Sequence, residues 1–393
     1  MTIEELYRDL HAHPELSFEE TRTAAIAAVE LRSAGFDVIE GIGITGVAGV
    51  LRNGDGPTVL LRADMDALPV TEDTGLAYAS TVPGIMHACG HDVHVTCLIG
   101  AIRELATTRA EWVGTVVAVF QPAEEAGGGA QAMLDAGLYE KVPVPDVVLG
   151  QHVGPAPAGM LGAHSGAAFA SADSIDITVR GRGGHGSRPE TTIDPIVIAA
   201  AVVGRLQTIV SREIAAQDTS VVTVGRMSAG TKNNIIPETA ELGLSIRAYS
   251  EEVRLRMIAA IERIVRAESA ASGAPEPVVE FAESFPVTVN DGNATERTMA
   301  AFRSAFGEEA VIDPGPVSGS EDVGLLATAA GAPLVYWILG GAHPEKYLAA
   351  ANAGTIDRDI PSNHSPSFAP ELQPTLDRGV AALVTACREW LRS

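Results

Sequence analysis

Nine consecutive residues, Met86-His87-Ala88-Cys89-Gly90-His91-Asp92-Val93-His94, carry three histidines, a thiol and a carboxylate. A thiolate and an imidazole separated by one glycine can converge on a single cation, because Gly90 lets the backbone turn between them. The competing structural reading is a helix start capped by Asp92, with the histidines as satisfied polar groups. The density of donors favours metal chemistry instead. A second cluster, Gln121-Pro122-Ala123-Glu124-Glu125, runs into Ala126-Gly127-Gly128-Gly129 directly after the apolar run VVAVF. Two adjacent carboxylates at a strand end can divide labour, one binding a cation while its neighbour handles a proton. An acidic helix start would use the same residues for the macrodipole, but the position after a buried strand points to function.

Gln151-His152 follows VVLG, and Asn363-His364-Ser365-Pro366 lies far downstream. Each histidine alone says little. Together, Cys89, His91, Glu125, His152 and His364 would supply five donors at the loop ends of one sheet, enough for two divalent ions with positions left open for water.

A sheet that brings those loops together is legible in the chain. Up to about residue 170, short apolar runs (VAGVLRNG, PTVLLRAD, GTVVAVFQP, DVVLGQHVG) alternate with helical segments, Glu19 to Ala34 and His94 to Ala110. That alternation predicts α/β architecture with a mostly parallel sheet, whose functional groups sit where strands end. From about 174 to 283 the rhythm becomes strand, helix, strand, strand, helix, strand, including helices Pro195 to Arg212 and Glu251 to Ala271. This βαββαβ order predicts an α+β unit of the ferredoxin-like type. The α/β rhythm then resumes, ending in a helix from Leu372 to Arg392. The expected organisation is a discontinuous domain of residues 1–172 and 285–393, with 173–284 inserted at a surface loop.

The chain has 393 residues, and 27 Lys plus Arg against 50 Asp plus Glu give a net charge of −23, which argues against nucleic acid or an anionic membrane as partner. The first fifteen residues offer no apolar core of a signal peptide, and no apolar run approaches the ~18 residues of a membrane span. Three cysteines, Cys89, Cys97 and Cys387, are too few and too odd for a disulfide framework. A cytoplasmic location with reduced thiols is expected.

The strings RADMDALP, MHACGHDVH, QPAEEAGGGA, GQHV, GRGGHGSRP, NNIIP, GSED and NHSP occur in this order. In them the chain resembles the M20 metallopeptidase family, specifically its amidohydrolase branch, over nearly its whole length. The resemblance implies a zinc-peptidase-type catalytic domain with an inserted lid and dimerisation domain. It implies metal-dependent hydrolysis of N-acyl-amino acids to a carboxylic acid and a free amino acid; a dipeptidase on the same scaffold is the alternative, and a metal-binding protein without catalysis a more remote one. It places Cys89, His91, Glu125, His152 and His364 on the ligands of two divalent ions per subunit, zinc or manganese, with cobalt or nickel also suited. Glu124 falls on the general base and Asp66 on the carboxylate that orients a ligand histidine. Asp64 stands where the broader family usually has a further histidine ligand, and is left out of the ligand set.

In the inserted domain, His185 within Gly183-Gly184-His185-Gly186-Ser187 matches a histidine that, in dimeric relatives, stabilises the oxyanion in the partner's site; a bulge or turn is the plainer use of those glycines. Asn234 is similar to a residue near substrate, and Arg247 to one that clamps the substrate carboxylate. A homodimer through the insert follows from the same resemblance. His11 and His13 are set aside because Pro14 ends any shared register, Cys97 as packing, His94 as support for its neighbours, and His343 as a residue the family does not fix.

Overall fold

The computed structural model describes residues 1–391 and divides into two compact units. The first comprises Met1–Ala168, Val289–Pro316 and Asp322 onward; the second comprises Phe169–Thr288 and Val317–Glu321.

An eight-stranded mixed sheet organises the first unit, in the order Asp37–Ile42, Gly46–Asn53, Gly114–Gln121, Thr58–Asp64, Val147–Pro157, Leu334–Ala342, Leu161–Gly162, Val311–Ile312. Its middle is parallel: Thr58–Asp64 pairs in parallel with both Gly114–Gln121 and Val147–Pro157, and Val147–Pro157 with Leu334–Ala342. These strands are covered on both faces, which is why they read as nearly continuous apolar runs. Parallel neighbours point their C-terminal ends the same way, so the segments after Asp64 and Gln121 and the end of the Val147–Pro157 strand share one edge of the sheet.

The helix His91–Thr107 starts three residues earlier than the sequence pattern suggests and ends three earlier. Gly90 adopts a left-handed φ of 84° and launches the helix directly at His91, while residues Arg109–Glu111 tighten into a 3₁₀ turn. Thirteen of its 17 residues are buried, so this helix is the spine of the core and holds His91 rigidly.

The second unit has a four-stranded antiparallel sheet, ordered Ser220–Ala229, Thr239–Ala248, Ser171–Arg180, Val278–Phe285. Its central strands alternate in burial, and their inward residues Ile175, Ile177, Leu242 and Leu244 pack with Val202 and Leu206 of one helix and Met257 and Ile261 of another. Helix Pro195–Thr208 continues into a π turn, Ile209–Glu213. This corrects the expectation that no run nears membrane-spanning length: Pro195–Glu213 has 19 residues and an 18-residue window of mean hydropathy 1.3, long and apolar enough by length and composition. Its Val, Ile and Ala content is explained on one side by the core of its own unit, where Ile198, Ala199, Val202 and Leu206 are buried.

Candidate metal centre

Asp66 lies just beyond the strand Thr58–Asp64 and is buried. Its Oδ1 is 3.2 Å from His91 Nδ1 and accepts the backbone N–H of Glu124 at 3.1 Å, while Oδ2 accepts that of Glu125 at 3.0 Å. One carboxylate thus fixes the His91 ring with Nε2 turned the other way and pins the Glu124-Glu125 turn beside it. That turn is backbone-strained: Ala123 sits at φ 48°, a left-handed conformation disfavoured for a residue with a Cβ. Gly129 folds back so closely that a Cβ there would lie 1.6 Å from the Pro122 carbonyl oxygen. Gly129 is therefore needed to bring both glutamates to the strand end.

Around His91 Nε2 the remaining donors gather. Glu125 Oε1 lies 3.8 Å away, Glu124 Oε2 3.9 Å and Asp64 Oδ2 3.6 Å. His364 Nε2 is 3.3 Å from Glu125 Oε1, and Cys89 Sγ is 3.6 Å from His152 Nε2. Three overlapping groups, Cys89 with His91 and His152, Cys89 with Glu125 and His364, and His91 with Glu124 and Glu125, each keep their donor atoms within 4.8 Å of one another. His364 reaches the cluster from an irregular segment at φ 70°. Asn363 moors that segment, its amide donating to the carbonyls of Cys89 and Val153 at 3.0 Å each.

His91 Nε2 and Glu125 Oε1 are buried without a hydrogen-bond partner. A buried imidazole nitrogen and carboxylate oxygen without hydrogen bonds are costly unless a cation joins them, and soft thiolate, imidazole and carboxylate together suit a borderline divalent ion. The donors fit a metal.

Charge in the site points the same way. Burial disfavours a charged His91, yet Asp64, Asp66 and Glu125 overcome it and raise its pKa to about 10. Burial, with Glu125 and Glu124 nearby, pushes the Cys89 thiol well up, so a cation is required to hold it as thiolate. Burial and neighbouring His94 keep His152 well below its usual range, leaving it a neutral donor.

Behind the donors runs a buried network. Burial would raise the Asp64 pKa, but Arg62 beside it holds the carboxyl well below its usual range. Arg62 donates to Asp64 at 2.6 Å and to Asp322 at 3.1 Å. Asp64 in turn bonds His94 Nδ1, whose Nε2 accepts the Val153 N–H at 2.8 Å. His94 is therefore protonated on Nδ1, and it locks the backbone next to His152. Asp322 also accepts from Gln121 at 2.7 Å and from the Ala130 N–H at 2.9 Å, bracing the glutamate loop from its far end. Residue type and spacing give Arg62 and Asp322 no role, although both lie in the strings that carry the family resemblance. His11, without a role by helix register, is buried with Nδ1 2.6 Å from Asp92 and Nε2 3.2 Å from Glu72. Asp92 is thus a buried partner of His11 and not the helix cap, a role left to Gly90 without any side-chain bond.

The other candidates lie in the second unit. His185 is exposed on a two-stranded ribbon, paired with Ile235, its Nδ1 2.8 Å from Ser187 Oγ. The Asn234 carbonyl accepts the Gly186 N–H at 2.8 Å, so His185 and Asn234 belong to one rigid corner. Arg247, on the strand Thr239–Ala248, donates to the Ser318 carbonyl at 2.8 Å.

Residues 60–361 match the model of peptidase family M20/M25/M40, and the chain belongs to that family. It is similar to thermostable carboxypeptidase 2 of Saccharolobus solfataricus, 37% identical over 91% of each chain. It is also similar to the hippurate hydrolase of Campylobacter jejuni, 40% identical over 82% of this chain and 84% of that one. Among solved structures it resembles a Bacillus subtilis dinuclear metal binding peptidase of the M20 family, with a TM-score of 0.77 at 30% identity, covering 99% of this chain and 96% of that one.

Proposed function

We propose that this chain is a metal-dependent amidohydrolase that cleaves N-acyl-amino acids to a carboxylic acid and a free amino acid. The observation that carries the reading is the convergence of Cys89, His91, Glu125, His152 and His364 with Glu124 among them. These five would hold two divalent ions, zinc or manganese by donor type, with cobalt or nickel also suited. Bound there, the ions supply Lewis acidity that activates water and polarises the scissile carbonyl.

Glu124 takes the proton of the attacking water and returns it to the leaving amine. Asp66 keeps His91 in the tautomer and orientation that present Nε2 to the cation. The second unit has the element order of a ferredoxin-like domain and serves as lid and dimerisation domain inserted in the catalytic one. His185 donates to the developing oxyanion, acting in the partner's site within a homodimer. Asn234 lies beside the substrate. Arg247 spends one hydrogen bond on Ser318, leaving the rest of its fork for the substrate carboxylate. The exposed edge strand Ser220–Ala229, with Val221 and Met227 each 47% exposed, supports the dimer. The acidic charge and the sparse cysteines support a cytoplasmic setting.

A carboxypeptidase among the similar proteins favours a second reading, hydrolysis of peptides on the same scaffold. Amino acid release from N-acetyl, N-benzoyl and N-fatty-acyl amino acids and from dipeptides, measured by mass spectrometry with and without chelator, separates the two. Chelator-sensitive release from acyl compounds is expected; preference for dipeptides would move the assignment to a peptidase.

A further inference from the structure

A cavity of about 460 Å³ opens in the first unit, lined by residues that flank the His364 segment on both sides in sequence. None of the donors clustered around His91 lines it. Its walls come from the segment around Tyr78, the start of the helix Pro344–Ala353 with the residues just before it, and residues 359–361 and 367–372. Its volume is that of a small-molecule site, and its apolar surface includes Leu76, Tyr78, Ile360 and Phe368.

Among its polar groups Thr74, Ser367 and Asp359 are hydrogen-bonded to neighbours, Asp359 to Arg358 and Thr355, whereas three others lack such partners. Lys346, one of three lysines in the chain, lines the cavity, and its ammonium has no hydrogen bond or ion pair among the described residues. It also sits in the first turn of its helix, where the macrodipole disfavours a cation unless an anion joins it. Glu371 lines the same cavity with its carboxylate unpaired, although it occupies the N-cap of the helix Leu372–Trp390 and makes no capping bond there. His343 Nδ1 is buried without any partner. One cavity thus presents an open cation, an open anion, an unsatisfied imidazole nitrogen and an apolar wall.

We propose that this cavity binds a free α-amino acid with an apolar side chain, its carboxylate on Lys346, its ammonium on Glu371 and its side chain against Phe368. The choice of an amino acid over other zwitterions rests on the reading above, in which one is a product. Phe368 also connects the cavity to the metal centre: its ring lies 3.3 Å from where a Cβ of Gly90 would stand, between Cys89 and His91.

Isothermal titration of the metal-loaded full-length protein with L-leucine, L-phenylalanine and glycine tests this. Leucine or phenylalanine binding is expected, with glycine weaker; leucinol, lacking the carboxylate, and 4-methylpentanoate, lacking the ammonium, should both bind poorly. Lys346→Gln and Glu371→Gln should each weaken leucine at least about tenfold, since each removes a charged hydrogen-bond partner. Absence of binding, or binding that both variants leave unchanged, as an amino acid seated on the metals would show, overturns the proposal. Hydrolysis of N-acyl-amino acids by the same preparations is scored separately, so loss of this site and loss of the enzymatic reading are distinguishable.

Discussion

The Asp66 carboxylate touches His91 Nδ1 at 3.2 Å with the same oxygen that accepts the Glu124 N–H, so a metal-donor histidine and the proposed base are registered by a single side chain. Asp66→Asn keeps the shape but replaces one acceptor oxygen by a donor. It should lower metal affinity or turnover about 10–100-fold. Competition with a chromophoric chelator reads the affinity; an unchanged affinity together with unchanged turnover would remove Asp66 from the account.

Arg62 and Asp64 are both buried, and their pairing continues through His94 to Val153. Asp64→Ala removes a buried carboxylate partner from the Arg62 guanidinium and leaves His94 without its acceptor. Breaking a buried pair this way costs about 3–5 kcal/mol, to be read in denaturant melts. His94→Ala should in addition loosen the His152 donor and weaken metal binding.

A methyl group at residue 129 would collide with the Pro122 carbonyl oxygen. Gly129→Ala should therefore cost about 1–3 kcal/mol of stability through overpacking and should lower activity more than stability, because the displaced segment is the one that carries Glu124. Gly128→Ala, where a Cβ meets nothing within 4 Å, is the control and should be near neutral.

His11, which is not among the proposed metal donors, gives a pH signature of its own. Burial opposes its charge, but Asp92 and Glu72 raise its pKa from 6.5 to about 10. A raised folded value means that this stabilisation is whole below pH 6.5 and is lost as pH climbs from 6.5 towards 10. Glu72 is the opposite case: despite burial, His11 and the Ser80 N–H lower it from 4.5 to about 2, so its contribution is lost as pH falls through that window. In thermal melts across pH, His11→Gln should flatten both limbs; a profile parallel to that of the parent protein would contradict this.

The proposed donors, His364 apart, are legible because each stands at the end of an apolar strand or inside a dense motif: Cys89 and His91 across Gly90, Glu124 and Glu125 after VVAVF, His152 after VVLG. Of the supports, Asp66 and His94 are legible within the same motifs; the rest of the buried network is not. Arg62 and Asp64 sit inside a buried strand, where a charge has meaning only through partners such as Asp322, 260 residues from Arg62 in sequence. His11 was dismissed by helix register, and its partners Glu72 and Asp92 come from elsewhere in the chain. The start of the helix at His91 turned on the left-handed Gly90, which propensity alone does not reveal. The Pro195–Glu213 helix shows the converse, an apolar pattern whose length emerged only once the π turn was seen to extend it.

The central claim is that Glu124 moves the proton while its neighbours hold the metal. Glu124→Gln should be assayed for turnover of an N-acyl-amino acid alongside its metal content by plasma mass spectrometry. The account predicts metal content equal to that of the parent protein with turnover reduced at least about 10²–10⁴-fold; near-normal turnover with metal still bound would contradict it.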